Sequence, residues 1–183
     1  HRDAAYDIAA QAIPGGAGFN TALGDGVDVL MGGGANYWTP YNKDTNKRGR
    51  ADGRDLMAEL KARGYATATT KDELAAVDPA SSSRLIALFS KNSHMDYDLD
   101  RQNNPASTQP SLSEMTSKAI DLLSKNQDGY FLMVEGGRID HALHGTNAKR
   151  ALQDASAFDD AIKTALSKVD LNNTLIVVTA DHD

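Results

Sequence analysis

The sequence is organised around residues 134–145, VEGGRIDHALHG, which overlap the end of an apolar run, YFLMV, at residues 130–134. The apolar run is typical of a buried strand, and the two glycines release the backbone after it. Asp140 and His144 are four residues apart, so a helix that begins near Ile139 places both side chains on one face, about one turn apart. Carboxylate and imidazole groups are zinc ligands, and Glu135 offers an oxygen that suits a harder ion such as magnesium.

A second polar cluster ends the sequence. Residues 174–179, TLIVVT, predict another buried strand, and an Asp-His pair follows it after Ala180. Open α/β sheets carry their chemistry at the carboxyl ends of parallel strands. An Asp-x-x-x-His pair alone is more often a solvated helix face, but two such clusters, each after an apolar strand, favour a metal site. The five candidate ligands at this edge are Glu135, Asp140, His144, Asp181 and His182.

The rest of the chain alternates helical and strand patterns, which predicts βαβ units and an α/β fold with a largely parallel central sheet. We expect helices at residues 4–13, 55–63, 71–77, 111–125 and 151–169. We expect strands at residues 27–31, 65–70, 85–89, 130–134 and 174–179.

Several shorter patterns add local expectations. The three glycines at residues 32–34 have no Gly-Lys-Ser/Thr after them, which favours close backbone packing over a phosphate loop. Residues 90–110 are polar and lack the EF-hand spacing, so they predict a surface loop in which His94 is an ordinary loop histidine. Ser111 and Glu114 form the pattern of a capping box. The acids of the last long helix are expected to face solvent; they are Asp154, Asp159 and Asp160.

Composition bounds the class of protein. The 183 residues carry a net charge of −6 and no cysteine, which excludes disulfides and thiolate chemistry. No basic patch suggests a nucleic-acid partner, and no apolar run approaches the roughly 20 residues of a membrane span. The sequence starts at His1 and stops directly after a predicted ligand pair. We therefore expect an internal segment, incomplete at both ends, of a larger protein.

Four stretches together resemble the alkaline phosphatase family. They are residues 131–152, FLMVEGGRIDHALHGTNAKRAL, with VTADH at residues 178–182, PSLSEMT at residues 110–116 and VDVLMGGG at residues 27–34. The resemblance implies a three-layer αβα fold in which residues 1–183 form the central part of a single catalytic domain. It also implies hydrolysis of small phosphate monoesters by a homodimeric enzyme that is periplasmic or secreted.

The resemblance further implies a centre of two zinc ions and one magnesium ion. Asp140 and His144 match two ligands of the first zinc, and Asp181 and His182 match two ligands of the second. Glu135 matches a magnesium ligand.

Two more residues have counterparts in the family. Arg2 matches the arginine that binds the substrate phosphate, a task for which its planar fork of donors is suited. His141 matches a variable position that touches bound phosphate through water and does not bind a metal.

The family's remaining functional groups have no counterpart in these 183 residues. The serine nucleophile and a bridging aspartate are expected upstream, and a third histidine of the first zinc downstream. We therefore expect this segment alone to be inactive and to bind metal weakly. The alternatives are a phosphodiesterase or sulfatase of the same superfamily, and a catalytically inactive metal-binding relative.

Overall fold

The structure, a computed structural model, describes residues 4–180 and 182. A parallel sheet of three strands organises the first half, with β3 between β1 and β2. Leu85 of β3 is in register with Val29 of β1 and Ala66 of β2. The strands are β1 (Val29–Gly32), β2 (Ala66–Ala68) and β3 (Leu85–Leu88), and the α-helices are α1 (Ala5–Gln11), α2 (Leu56–Ala62), α3 (Lys71–Ala76), α4 (Asp98–Asn103), α5 (Leu112–Leu123), α6 (Arg138–His144) and α7 (Ala148–Lys168).

Helices cover both faces of the sheet. On one face, Ile86 and Leu88 pack in a cluster with side chains from α2 and from the segment around α1, including Leu60 and Ile13. On the other face, Leu85 and Ala87 share a cluster with side chains from α3 and α5, Leu74 and Leu122. All four residues of β3 are therefore buried. This arrangement confirms the predicted α/β fold with a parallel sheet between two helical layers.

Side-chain caps explain where several helices begin. Asp55 accepts a hydrogen bond from the Ala58 N–H at the start of α2. The predicted capping box is present at α5, where Ser111 Oγ accepts from the Glu114 N–H and the Glu114 carboxylate accepts from the Ser111 N–H. Each cap satisfies backbone donors that the first helical turn leaves without partners.

The two predicted strands that flank the polar clusters differ from expectation. Residues 130–134 and 174–179 form no strand in the described part of the chain. Phe131 is 89% exposed and Leu175 is 87% exposed. A β-strand is stabilised by its neighbours in the sheet, and the sheet in the described part of the chain consists of β1, β2 and β3.

The polar segment 90–110 also differs, because it contains the short helix α4. Asp98 begins that helix and is buried. Its backbone N–H donates to the carboxylate of Asp154, at 3.2 Å from Oδ1. Asp154 is therefore buried between α4 and α7, and the expectation that it faces solvent is wrong, whereas Asp159 and Asp160 are exposed as predicted. Within residues 4–180 and 182, no helix has the length and apolar character to cross a membrane.

Candidate metal centre

The glycine pair of the motif allows α6 to begin beside α7. A Cβ atom added at Gly136 would lie 3.0 Å from Cδ1 of Ile139 and 3.3 Å from Cγ of Phe158 on α7. Side chains larger than hydrogen at this position would push these neighbours apart. The helix that follows, Arg138–His144, confirms the predicted helix and sets its polar residues one turn apart.

Asp140 and His144 meet on one face of α6, as their spacing predicts. His144 Nε2 lies 3.5 Å from Asp140 Oδ2, and the side chains are 78% and 41% exposed, respectively. Both groups are therefore open to an ion that arrives from solvent.

The second cluster reaches the same carboxylate. His182 Nε2 lies 3.8 Å from Asp140 Oδ1, so the two carboxylate oxygens each face a different imidazole. Three of the five predicted ligands, Asp140, His144 and His182, are thus brought together, although α7 separates His182 from α6 in sequence. The arrangement is not a closed ligand set, because no group of three or more His, Asp or Glu side chains among the described residues is placed to hold a metal ion.

Glu135 lies just before α6, with its carboxylate folded toward the backbone of Gly137. A Cβ atom added at Gly137 would lie 3.0 Å from Glu135 Oε1. Among the described residues, Glu135 belongs to no group of three or more His, Asp or Glu side chains that could hold a metal ion. Its predicted role as the ligand of a harder ion stays a prediction.

His141 packs against His94, which the sequence predicts to be an ordinary loop histidine. The rings of His141 and His94 have their centroids 4.2 Å apart, tilted by 46°. Nδ1 of His141 is buried and has no hydrogen-bond partner among the described residues. No sequence signal could have found this contact, because 46 residues separate the two histidines and neither belongs to a joint motif.

Tyr97 is a second residue beside the motif whose contacts the sequence does not predict. The guanidinium carbon of Arg138, inside the motif, lies 3.6 Å from the centre of the Tyr97 ring. The guanidinium carbon of Arg150 on α7 lies 4.5 Å from the same centre. An aromatic residue in a polar loop is a weak signal of such a contact, and the sequence offered no other.

Next to Tyr97, the side chains of Asp98 on α4 and Asp154 on α7 are both buried where the two helices meet. The carboxylate of Asp98 accepts hydrogen bonds from Arg101, at 2.6 Å, and from Gln153 on α7, at 2.9 Å. Burial raises the pKa of Asp154 above its ordinary value, and the nearby Asp98 charge acts in the same direction.

Arg2, Asp181 and Asp183 lie outside the described residues. The roles predicted for Arg2 and Asp181 therefore stay predictions.

The donor chemistry fits the implied metals. Asp140 supplies a carboxylate oxygen, and His144 and His182 supply imidazole nitrogens; zinc accepts both kinds of donor. The carboxylate of Glu135 is a hard oxygen donor of the kind that magnesium prefers.

Comparison with known proteins gives one consistent family. The family model described as alkaline phosphatase matches residues 2–183. The human tissue-nonspecific alkaline phosphatase is 43% identical over 169 residues, which cover 85% of this chain and 32% of that protein. The chain thus spans about a third of the length of the curated relatives that it matches.

Two solved structures of similar fold are alkaline phosphatases. The crystal structure of Thermus thermophilus alkaline phosphatase is similar with a TM-score of 0.68 and 33% identity, over 80% of this chain and 28% of that one. A mutant of TAB5 alkaline phosphatase with magnesium bound in its M3 site is similar with a TM-score of 0.59 and 33% identity, over 77% of this chain and 36% of that one.

Proposed function

The chain belongs to the alkaline phosphatase family, and from that premise we propose that the complete protein hydrolyses phosphate monoesters at a centre of two zinc ions and one magnesium ion. In this proposal, residues 1–183 form the central part of a single catalytic domain. The serine that attacks phosphorus lies outside them and forms a phosphoserine intermediate. This segment alone is expected to be inactive.

The observation that carries the proposal is the position of Asp140. Its two carboxylate oxygens face the Nε2 atoms of His144 and His182, at 3.5 Å and 3.8 Å. A carboxylate held between imidazoles from two separate segments supports a site where two cations are held side by side. In this proposal, Asp140 and His144 would hold the first zinc, Asp181 and His182 the second, and Glu135 the magnesium.

The bound metals would withdraw charge from the phosphoryl group and lower the pKa of the attacking oxygen. The chain's own residues contribute binding and orientation. Arg2 would donate two parallel hydrogen bonds to phosphate oxygens, which holds the phosphoryl group for in-line attack. His141, whose ring packs on that of His94, would donate to bound phosphate through a water molecule.

The proposal includes the setting of the reaction. The substrates are small phosphate monoesters, the enzyme is a homodimer, and it acts in the periplasm or outside the cell. The magnesium bound by the related TAB5 protein supports the choice of the third ion.

The alternative functions differ in the ester that they cleave. A direct test compares the complete protein, loaded with zinc and magnesium, on p-nitrophenyl phosphate, bis(p-nitrophenyl) phosphate and p-nitrophenyl sulfate. We expect the monoester to be hydrolysed fastest. A faster rate on the diester or the sulfate would favour the phosphodiesterase or sulfatase alternative, and no hydrolysis by metal-loaded protein would favour the inactive relative.

A second test addresses the site. Asp140→Asn should lower kcat/KM for the monoester at least about 100-fold, because the loss of even an outer partner of a metal ligand costs 10–100-fold. The bound zinc, measured by atomic emission, should fall in parallel. Asp159→Asn is the matched control, since Asp159 is an exposed residue of α7 that pairs with Lys163. Unchanged zinc content and activity in Asp140→Asn would contradict the proposed centre.

A further inference from the structure

We propose that Tyr97 is a positioning residue that sets the rotation of α6 and thereby aims Asp140 and His144 at the metal. Together with His94 it forms a support for α6, which we call the α6 cradle. The inference rests on the proposed function, because it assigns the cradle a task at that same centre.

The helix α6 presents two different faces. At 3.6 residues per turn, Asp140 and His144 lie about 40° apart around the helix axis, whereas Arg138 and His141 lie together on a face rotated by roughly 110°. The cradle contacts the second face, with His94 against His141 and Tyr97 against Arg138. On the ligand face, the side chains of His144 and Asp140 are 78% and 41% exposed, respectively.

The Tyr97 ring packs on the Arg138 guanidinium, whose charge also acts on the nearby Asp154 carboxylate. The ring and the guanidinium lie 3.6 Å apart, and Nε of Arg138 is buried with no hydrogen-bond partner among the described residues. A cation over an aromatic face is attracted most strongly when water is excluded. Arg150 of α7 lies over the same ring and also pairs with Asp100 at 2.8 Å. One aromatic ring thus joins α6 to α7.

The backbone on both sides of the cradle is fixed. After Tyr97, the N–H of Asp98 donates to the Asp154 carboxylate, and the Asp98 carboxylate accepts from Gln153, so the segment is bound to α7. Before His94, the chain passes close to the end of β1. A Cβ atom added at Gly33 would lie only 2.9 Å from the carbonyl carbon of His94.

These contacts connect the sheet to the metal helix. The Gly34 N–H donates to the carbonyl of Asn92 at 2.5 Å, so the exit of β1 positions the segment that carries His94 and Tyr97. No described strand leads directly into α6, because residues 130–134 form none. The cradle is therefore one route by which the rigid sheet fixes the direction of the ligand face, beside the packing of α6 on α7 and of α7 on α5. Metal sites need their ligands held to within about 0.5 Å.

The test uses the complete, metal-loaded protein and the variants Tyr97→Leu and Tyr97→Phe. The readout is the rate at which zinc is lost to a chromogenic chelator, measured beside kcat and KM. Tyr97→Leu removes the aromatic face and should release zinc about 10-fold faster, the lower end of what lost outer partners cost. It should lower kcat more than it raises KM. Tyr97→Phe keeps the face and should behave as the wild type.

Tyr65→Leu is the matched control, because Tyr65 lies in the cluster on the sheet's first face and has the Arg84 guanidinium carbon 5.5 Å from its ring centre. It should not change zinc release. If Tyr97→Leu fails to fold, Arg138→Met removes the cation, keeps most of the side chain and is expected to release zinc faster in the same way.

The outcomes separate the two proposals. Wild-type protein that binds no zinc overturns the proposed function, and this inference with it. Zinc-loaded wild type with the same release rate in Tyr97→Leu overturns the cradle alone. So does an equal acceleration in Tyr97→Phe, which would assign the effect to the hydroxyl, or in Tyr65→Leu, which would assign it to a general loss of packing.

Discussion

Two apolar runs of similar composition end up in opposite environments. Residues 85–88, LIAL, form the central strand β3 and are buried in full. Residues 131–134, FLMV, form no strand, and Phe131 and Met133 are 89% and 75% exposed. Both runs precede polar segments, so the local sequence does not separate them. The difference lies in the surroundings.

The first run has neighbours on every side. Strands β1 and β2 pair with its two edges, and two helical layers cover its faces. Around the second run, the helices α5, α6 and α7 pack mainly on one another. A high strand propensity means that a side chain fits the half-buried surface of a sheet. Whether the run is actually buried depends on whether neighbouring strands and helices supply that surface.

The sharpest test of the comparison is a pair of identical substitutions. Leu85→Ala, at a fully buried position, should lower the free energy of unfolding of the 183-residue chain by about 2–5 kcal/mol. Leu175→Ala, at an exposed position, should change it by less than about 0.5 kcal/mol. Urea denaturation followed by Trp38 fluorescence measures both. An equal loss for Leu175→Ala would show that residues 174–179 are buried.

The helix α5 connects the two regions, so its N-cap tests whether they unfold together. Its Leu122 packs in the cluster under β3, and its Asp121 pairs with Lys168 of α7 at 2.8 Å. Ser111→Ala removes the hydrogen bond that the Ser111 hydroxyl accepts from the Glu114 N–H and the one that it donates to the Glu114 carboxylate, and should cost roughly 0.5–2 kcal/mol.

The readout of this second prediction is the agreement of two probes. Trp38 is the sole tryptophan of the sequence and lies in the cluster on the sheet's first face, whereas helical circular dichroism weights α5 and α7. We expect both transitions to shift equally in Ser111→Ala and to recover in Ser111→Thr. A shift in circular dichroism alone would mean that the two regions unfold independently.

The features that sequence predicted are those that short-range physics decides. The capping box at Ser111 needs only a residue three positions away, and the Asp140–His144 pair needs only one helical turn. In both cases the interacting groups are close in sequence. The strand β3 was also predicted correctly from its apolar run, but the same pattern failed at residues 130–134, so that prediction depended on the neighbouring strands.

The features that sequence missed depend on contacts between distant segments. Asp154 has the spacing of a solvent-facing acid, yet it is buried because the N–H of Asp98, 56 residues away, donates to it. His94 and Tyr97 look like loop residues until α6 packs against them. Tertiary partners can reverse the preference of a polar residue for solvent, and single-sequence patterns carry no information on them.

The smallest expected effect is a difference in pH dependence between the two regions. Beside the sheet, a hydrogen bond from Arg54 lowers the pKa of Glu59 on α2. Among the helices around the motif, burial raises the pKa of Asp154 on α7. Glu59 therefore adds stability that is present above its ordinary pKa of 4.5 and is lost as the pH falls through its lower, folded value. The contribution of Asp154 is complete below its ordinary value of 3.8 and is lost as the pH rises through its raised, folded value.

The two neutral variants should therefore respond to pH with opposite signs. Glu59→Gln should be more destabilising at pH 7 than at pH 3, by no more than about 1 kcal/mol, since partly exposed ion pairs contribute little. The free energy of unfolding of Asp154→Asn, relative to that of the wild type, should be higher at pH 7 than at pH 3, because the variant removes a charge that burial disfavours. Urea denaturation at both pH values measures the two differences. The same sign in both variants would contradict the assignment, and it would mean that the backbone N–H of Asp98 and the charge of Arg138 stabilise the Asp154 charge more than burial disfavours it.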